Sequence, residues 1–194
     1  MTQVAIPDAD TGFTTNWTED MGGGDLYAAI DDGVAAAANR TAQVAAHDEW
    51  TFIQVEDMFA DESCVLSLSD LSKPGAGDVK FTIAASTTDN MSAGQGPRLR
   101  VDLCETASFT VRATHIFTGI ALTGGDSFTH YDSDALDVSS VSDDKWDELF
   151  VKLTMLNNGG GSDYMYVSQV FLITPDAGAA GPTANPAAFL LFLD

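Results

Sequence analysis

Hydrophobic and polar positions alternate most cleanly over residues 98–103, where Leu99, Val101 and Leu103 interleave with Arg98, Arg100 and Asp102. Successive side chains of a strand point to opposite faces, so this spacing predicts a half-buried β-strand. Residues 64–86, CVLSLSDLSKPGAGDVKFTIAAS, hold two more such runs. Cys64, Leu66 and Leu68 interleave with Val65 and Ser67, and Val79, Phe81 and Ile83 oppose Lys80 and Thr82. Ser72, Pro74, Gly75 and Gly77 lie between the runs and require a loop there. Aromatic and β-branched residues predict further strands over 49–55, 109–117, 128–131, 149–156 and 164–173, and a short one over 13–18. The strands at 149–156 and 164–173 flank NNGGGSD, which can close a hairpin.

Three stretches are less regular. Residues 25–32, DLYAAIDD, read as a helical turn or as a strand, with an edge strand preferred, because so short an apolar run has no period of its own. The Ala-rich residues 34–46 lack the large apolar side chains that a helix would bury, which leaves a helix and a long loop both open. In residues 139–148, SSVSDDKWDE, Ser and Asp precede an amphipathic turn carrying Trp146, as in a short helix or a looped crossover.

About eight or nine strands at such intervals favour an antiparallel sandwich over a βαβ scheme. The fold expected is therefore all-β, a jelly roll. Its boundaries are an N-terminal arm over 1–24, the sandwich over 25–174, and a linker with an apolar tail over 175–194. The core is expected from Trp50, Phe52, Val65 or its neighbours Leu66 and Leu68, Phe81, Ile83, Leu99, Val101, Leu103, Val111, Leu153, Val167 and Phe171.

Charge narrows the partners. Acidic residues number 29 against 8 basic ones, a formal net charge of −21. Lys73, Lys80, Arg98, Arg100, Arg112, Lys145 and Lys152 are scattered singly or in pairs among acids, so no basic face can be read and nucleic acid or an anionic membrane is not an expected partner. Self-repulsion of this size keeps a protein dispersed, or suits a salty medium that screens it. Residues 1–13 show no basic segment followed by an apolar one, so no secretory signal is expected and synthesis in a cytoplasm is. The longest strongly apolar run, 187–193, is too short to cross a bilayer as a helix.

Reaction chemistry is sparse. Cys64 and Cys104 have no metal-binding spacing and read as two buried thiols, although one bridge between them is conceivable. His47, His115 and His130 are far apart, though a sheet can bring the last two together. Carboxylate pairs such as Asp31 with Asp32 and Asp143 with Asp144 satisfy the count a glycosidase needs, yet arise by chance among so many acids. The acidic loops 57–62 and 132–137 offer oxygen ligands to calcium without matching a DxDxDG loop. Trp17, Trp50 and Trp146 can stack on sugars, but each adjoins strand residues and is expected in the core. No catalytic residue, metal or cofactor is assigned.

DLYAAIDDG at 25–33, CVLSLSDLSKPGAG at 64–77 and DDKWDELFVKLTM at 143–155 resemble, in order and content, the pieces of a group of bacteriophage structural proteins with a jelly-roll domain. That resemblance implies a non-enzymatic virion component. A decoration or cement protein on the capsid exterior is the leading case, with the major capsid protein or other virion subunits as partners and a homo-oligomer such as a trimer as its state; a tail- or fibre-associated protein is another. Such domains also look like carbohydrate-binding sandwiches, and a carbohydrate-binding or adhesion module is the alternative. Phe189, Leu190, Leu191, Phe192 and Leu193 are the expected docking residues. Five large apolar side chains in a row cannot all be buried on one face, and a partner groove would gain about 1.5–3 kcal/mol for each it accepts. The linker before them lets the peptide reach outward, while folding back onto its own domain is the competing possibility.

Overall fold

The computed structural model describes residues 2–14, 16–19, 26–30, 52–56, 61–88, 98–106, 108–123, 127–156 and 164–177. Their strands, in chain order, are β1 (Thr2–Ala5), β2 (Pro7–Thr14), β3 (Thr18–Glu19), β4 (Ile53–Glu56), β5 (Glu62–Leu68), β6 (Lys80–Thr87), β7 (Arg98–Glu105), β8 (Thr110–Thr118), β9 (Thr129–Asp132), β10 (Leu149–Met155) and β11 (Tyr164–Pro175). One sheet has the order β3-β4-β11-β6-β9, with β1 also paired to β11; the other has the order β2-β5-β10-β7-β8. All pairs are antiparallel. The two sheets pack as a sandwich around one core.

Strands β4 to β11 alone give the orders β4-β11-β6-β9 and β5-β10-β7-β8. The first of these eight lies beside the last and the second beside the seventh, which is the winding of two Greek keys into a jelly roll. Chain segments therefore pass from sheet to sheet. Only β7 and β8 are consecutive strands joined as a tight hairpin among the described residues.

Several sequence expectations change here. Residues 2–14, read as an arm, form β1 on the edge of one sheet and β2 on the edge of the other. β10 and β11 are not a hairpin, since they lie in different sheets. The stretch preferred as an edge strand at 25–32 contains a 3₁₀ turn at Tyr27–Ala29, which both carboxylate oxygens of Asp10 hold by accepting the Leu26 and Tyr27 N–H groups at 2.8 and 2.9 Å. Residues 139–148 form turns, so the looped crossover holds and the helix does not. Trp50, residues 34–46 and Phe189 to Leu193 lie outside the described residues.

Inward positions follow the period-2 pattern. Cys64, Leu66 and Leu68 of β5, Leu99, Val101 and Leu103 of β7, and Val151, Leu153 and Met155 of β10 meet Phe81, Ile83 and Ala85 of β6 and Met165, Val167, Val170 and Leu172 of β11. Trp17 and Trp146 are also in this core, as expected. Phe171 is fully buried, as expected, but on the opposite side of β11 from the central cluster, whereas Phe52 is only half-buried, against Phe128 and Tyr166. Val111 is 48% exposed, because a register shift between Leu103 and Cys104 pairs it with outward-facing Cys104. On β6 the opposite positions Thr82, Ala84 and Ser86 are fully buried too, so this sheet is closed on both faces along β6.

Candidate functional site

The outer face of the β2-β5-β10-β7-β8 sheet is covered at its centre, where Val65, Asp102, Cys104 and Thr154 are buried, and open at its edges. Because Leu66, Val151 and Leu103 point inward in register, their neighbours Val65, Ser67, Phe150, Lys152, Asp102 and Cys104 must point outward. Phe13 pairs with Val65 at the β2 edge and is 64% exposed. At the β8 edge Val111 and Ile116 are 48% and 43% exposed. Burying such side chains is favourable by about 1.5–3 kcal/mol each, so a face that leaves them in water has unused binding capacity.

Three rings form a line on this face. Phe13 meets Phe109 edge to face at 5.2 Å, and Phe109 meets Phe150 in the same manner at 5.2 Å. They come from β2, from the β7–β8 hairpin and from β10, and the hairpin turn brings Phe109 between the other two. The hairpin aims Phe109 by an unusual backbone: Thr106 has φ 70° and Phe109 has φ 53°, with the Phe109 N–H donating to the Thr106 carbonyl at 2.9 Å. A bulky residue at positive φ is strained, and such strain is kept where surrounding contacts hold it.

Beside the rings runs a polar row. Arg100 Nε lies 3.2 Å from Asp102 Oδ2, and Asp102 Oδ1 accepts the Thr114 hydroxyl at 2.6 Å. Arg100 Nη2 reaches the Thr154 hydroxyl at 3.5 Å. Lys152, half-buried, stands between Phe150 and Thr154 on β10 and opposite Asp102 on β7. Arg98 shares the Arg100 face two residues earlier on β7. Cations that are scattered in the sequence are grouped in space: Arg98, Arg100 and Lys152 project from one face, around Asp102. Next to Phe13 a cleft of ≈ 390 Å³ opens at the β2 edge, lined by Asp10, Thr14, Trp17, Thr18, Glu19 and Leu26 among others.

The other candidates from the sequence are dispersed. His115 belongs to β8 and His130 to β9, in different sheets, and His130 Nε2 lies 3.1 Å from Gln169 Oε1. Trp17 and Trp146 are buried, and Trp17 donates its Nε1–H to the Glu62 carbonyl at 3.2 Å. Asp143 pairs with Lys73 at 2.6 Å, whereas Asp31 and Asp32 lie outside the described residues. Of the acidic loops, Asp132 accepts the Thr82 hydroxyl and Asp137 the Ser139 N–H. Among the described residues no three His, Cys, Asp or Glu side chains are grouped to hold a metal ion, and no helix is long and apolar enough to cross a membrane. Cys64 faces the core and Cys104 the outer side of the same sheet, which leaves both as buried thiols.

No family model matches this chain, and no curated protein matches it. Solved structures similar to it include a xylan-binding module, CBM15, at 10% identity and TM-score 0.43, covering 91% of this chain and 99% of that one. A carbohydrate-binding module, CBM6cm-2, from Cellvibrio mixtus lichenase 5A is 12% identical at TM-score 0.42, covering 90% and 98%. The K3 cleaved adhesin domain of Lys-gingipain from Porphyromonas gingivalis is 13% identical at TM-score 0.39, covering 88% and 99%. These scores are low, and the jelly-roll assignment stands on the strand order itself.

Proposed function

We propose that this chain is a non-enzymatic recognition module that holds a polysaccharide across the outer face of the β2-β5-β10-β7-β8 sheet. The observation that carries this is the line of rings formed by exposed Phe13 and half-buried Phe109 and Phe150, beside Arg100, Lys152 and the exposed Thr114. A sugar ring has an apolar C–H face and a rim of hydroxyls. Aromatic side chains cover the first, and charged or hydroxyl side chains bond the second with charge-assisted strength. Five strands spaced about 4.8 Å apart make the face about 19 Å across, long enough for several sugar units.

Affinity electrophoresis against a panel of soluble neutral and acidic polysaccharides tests this, together with an assay for released reducing ends. Binding without hydrolysis is expected. Phe13→Ala should weaken it roughly tenfold while leaving the melting temperature unchanged, because the ring is exposed. Failure to bind any member of the panel, or a Phe13→Ala variant that binds as well as the parent, overturns the proposal.

A capsid decoration protein is the second reading, with the major capsid protein as partner and the virion exterior as its place. It is favoured by the apolar run Phe189, Leu190, Leu191, Phe192 and Leu193 behind a Pro, Gly and Ala linker. Removing residues 187–194 should then abolish attachment to particles without lowering the stability of the isolated sandwich. Lowered stability would instead mean that the run covers its own domain.

A further inference from the structure

We infer that the polysaccharide held on this face is acidic, a chain bearing uronate carboxylates, with Lys152 and the Arg98–Arg100 pair as their partners. This rests on the proposed polysaccharide-binding role and narrows it. Three of the chain's 8 basic side chains project from one side of one sheet in a protein of net charge −21. Chance placement of so few cations does not favour such a cluster.

Each cation is in reach of its neighbour. Lys152 is opposite Asp102 and diagonal to Arg100, which is opposite Thr154; diagonal partners on adjacent strands stand about 7–8 Å apart. Asp102 pairs with Arg100 at 3.2 Å and accepts the Thr114 hydroxyl, so this single carboxylate is shared between two cations, Arg100 and the Lys152 opposite it. Lys152 makes no ion pair among the described residues, although it is half-buried beside Phe150. A partly desolvated ammonium without a counter-charge of its own is costly, and a ligand carboxylate supplies what the protein does not. The carboxylate of Asp8, at the far β2 edge, accepts the Ser67 hydroxyl. The rings and the cations are interleaved rather than separate: Phe150 and Lys152 are two residues apart on one strand and share a face. An acidic sugar chain therefore meets an aromatic surface and a positive one within a single unit's length.

The distant acids do not forbid this. At physiological ionic strength the screening length is about 8 Å, so contacts on the face persist while repulsion from the remaining surface is damped.

Polygalacturonate, alginate and hyaluronate, each compared with its methyl-esterified form in 0.15 M salt, provide the test, because esterification removes the charge and keeps the backbone. At least one acid polymer should bind roughly tenfold or more tightly than its ester. Lys152→Met should remove most of that preference, weakening the acid form far more than the ester, and keep the parent's melting temperature. Phe13→Ala should weaken both forms. Equal affinity for every acid and its ester, or a Lys152→Met variant that loses both alike, overturns this inference while leaving the polysaccharide role intact. Failure of all six polymers and of the neutral panel overturns both.

Discussion

Arg112 Nε donates to Glu105 Oε2 at 2.8 Å across the β7–β8 hairpin, and the Glu105 side chain is only 3% exposed. The Ser142 hydroxyl and N–H also donate to this carboxylate, at 2.7 and 3.2 Å, so one residue ties the hairpin to the crossover that carries Trp146. Burial raises its pKa, but the bonds from Ser142 and Arg112 outweigh that and hold it below the ordinary glutamate value of 4.5. A depressed carboxylate stabilises the fold fully above its unfolded value, and that contribution is lost as pH falls through the folded one. Glu105→Gln should therefore cost about 1–3 kcal/mol at neutral pH. Urea unfolding of parent and variant should show this difference constant above about pH 5 and shrinking below it. A difference that stayed the same down to pH 3 would contradict the assignment.

Phe109 offers a test of backbone strain apart from ring contact. Both Phe109→Gly and Phe109→Ala remove the ring from Phe13 and Phe150 and should weaken polysaccharide binding. Glycine accepts a positive φ that alanine resists, so the Gly variant should be the more stable of the two by about 1 kcal/mol. Thermal unfolding ranks them directly; the reverse order would mean the turn is not left-handed at this position.

Register can be checked with two truncations. Phe81→Ala empties a fully buried position and should cost about 3–5 kcal/mol. Val111→Ala, on the exposed side of β8, should change stability by no more than about 0.5 kcal/mol. Comparable losses at both would place Val111 in the core and remove the register shift beside Cys104.

The cysteines make a further contrast. Burial, reinforced by Asp102, pushes the Cys104 thiol up to about 12, and burial, reinforced by Asp10, raises Cys64 as well. Neither should react with iodoacetamide at pH 8 in the native state, and mass spectrometry should find no bridge between them. Phe150 is directly opposite Cys104 in the sheet. Phe150→Ala should expose Cys104 to alkylation and leave Cys64 protected; labelling of Cys64 instead would mean that the two faces have been assigned backwards.

Much of the sandwich was legible because Leu99, Val101 and Leu103 turn to one face of their strand and Arg98, Arg100 and Asp102 to the other, a division written in alternate letters. β6 obeyed the rule only in part, since Thr82, Ala84 and Ser86 are buried as deeply as Phe81 and Ile83. Val111 misled for a local reason, a one-residue slip that no propensity signals. The binding face was invisible for a global one. Phe13 looked like the start of a short strand in an arm, Phe109 like the start of another strand, and Lys152 is far along the chain from Arg98 and Arg100. Only the pairing of β10 with β7, and of β2 with β5, puts them together.

The strand order also sets when this fold can form. β10 and β11 follow all other strands in the chain, yet each lies inside its sheet, β10 between β5 and β7 and β11 between β4 and β6. Thr2 cannot pair until Pro175 exists. At synthesis rates of about 5–20 residues per second, β5, which has only the earlier β2 to pair with, waits for roughly 5–20 s with its other edge unpaired before β10 emerges. Pairing between such distant segments is then slow in its own right. Open edges invite association with other chains over that interval, and a net charge of −21 opposes it by keeping like chains apart. The acidic surplus thus acts on nascent molecules, before there is any folded surface to keep soluble.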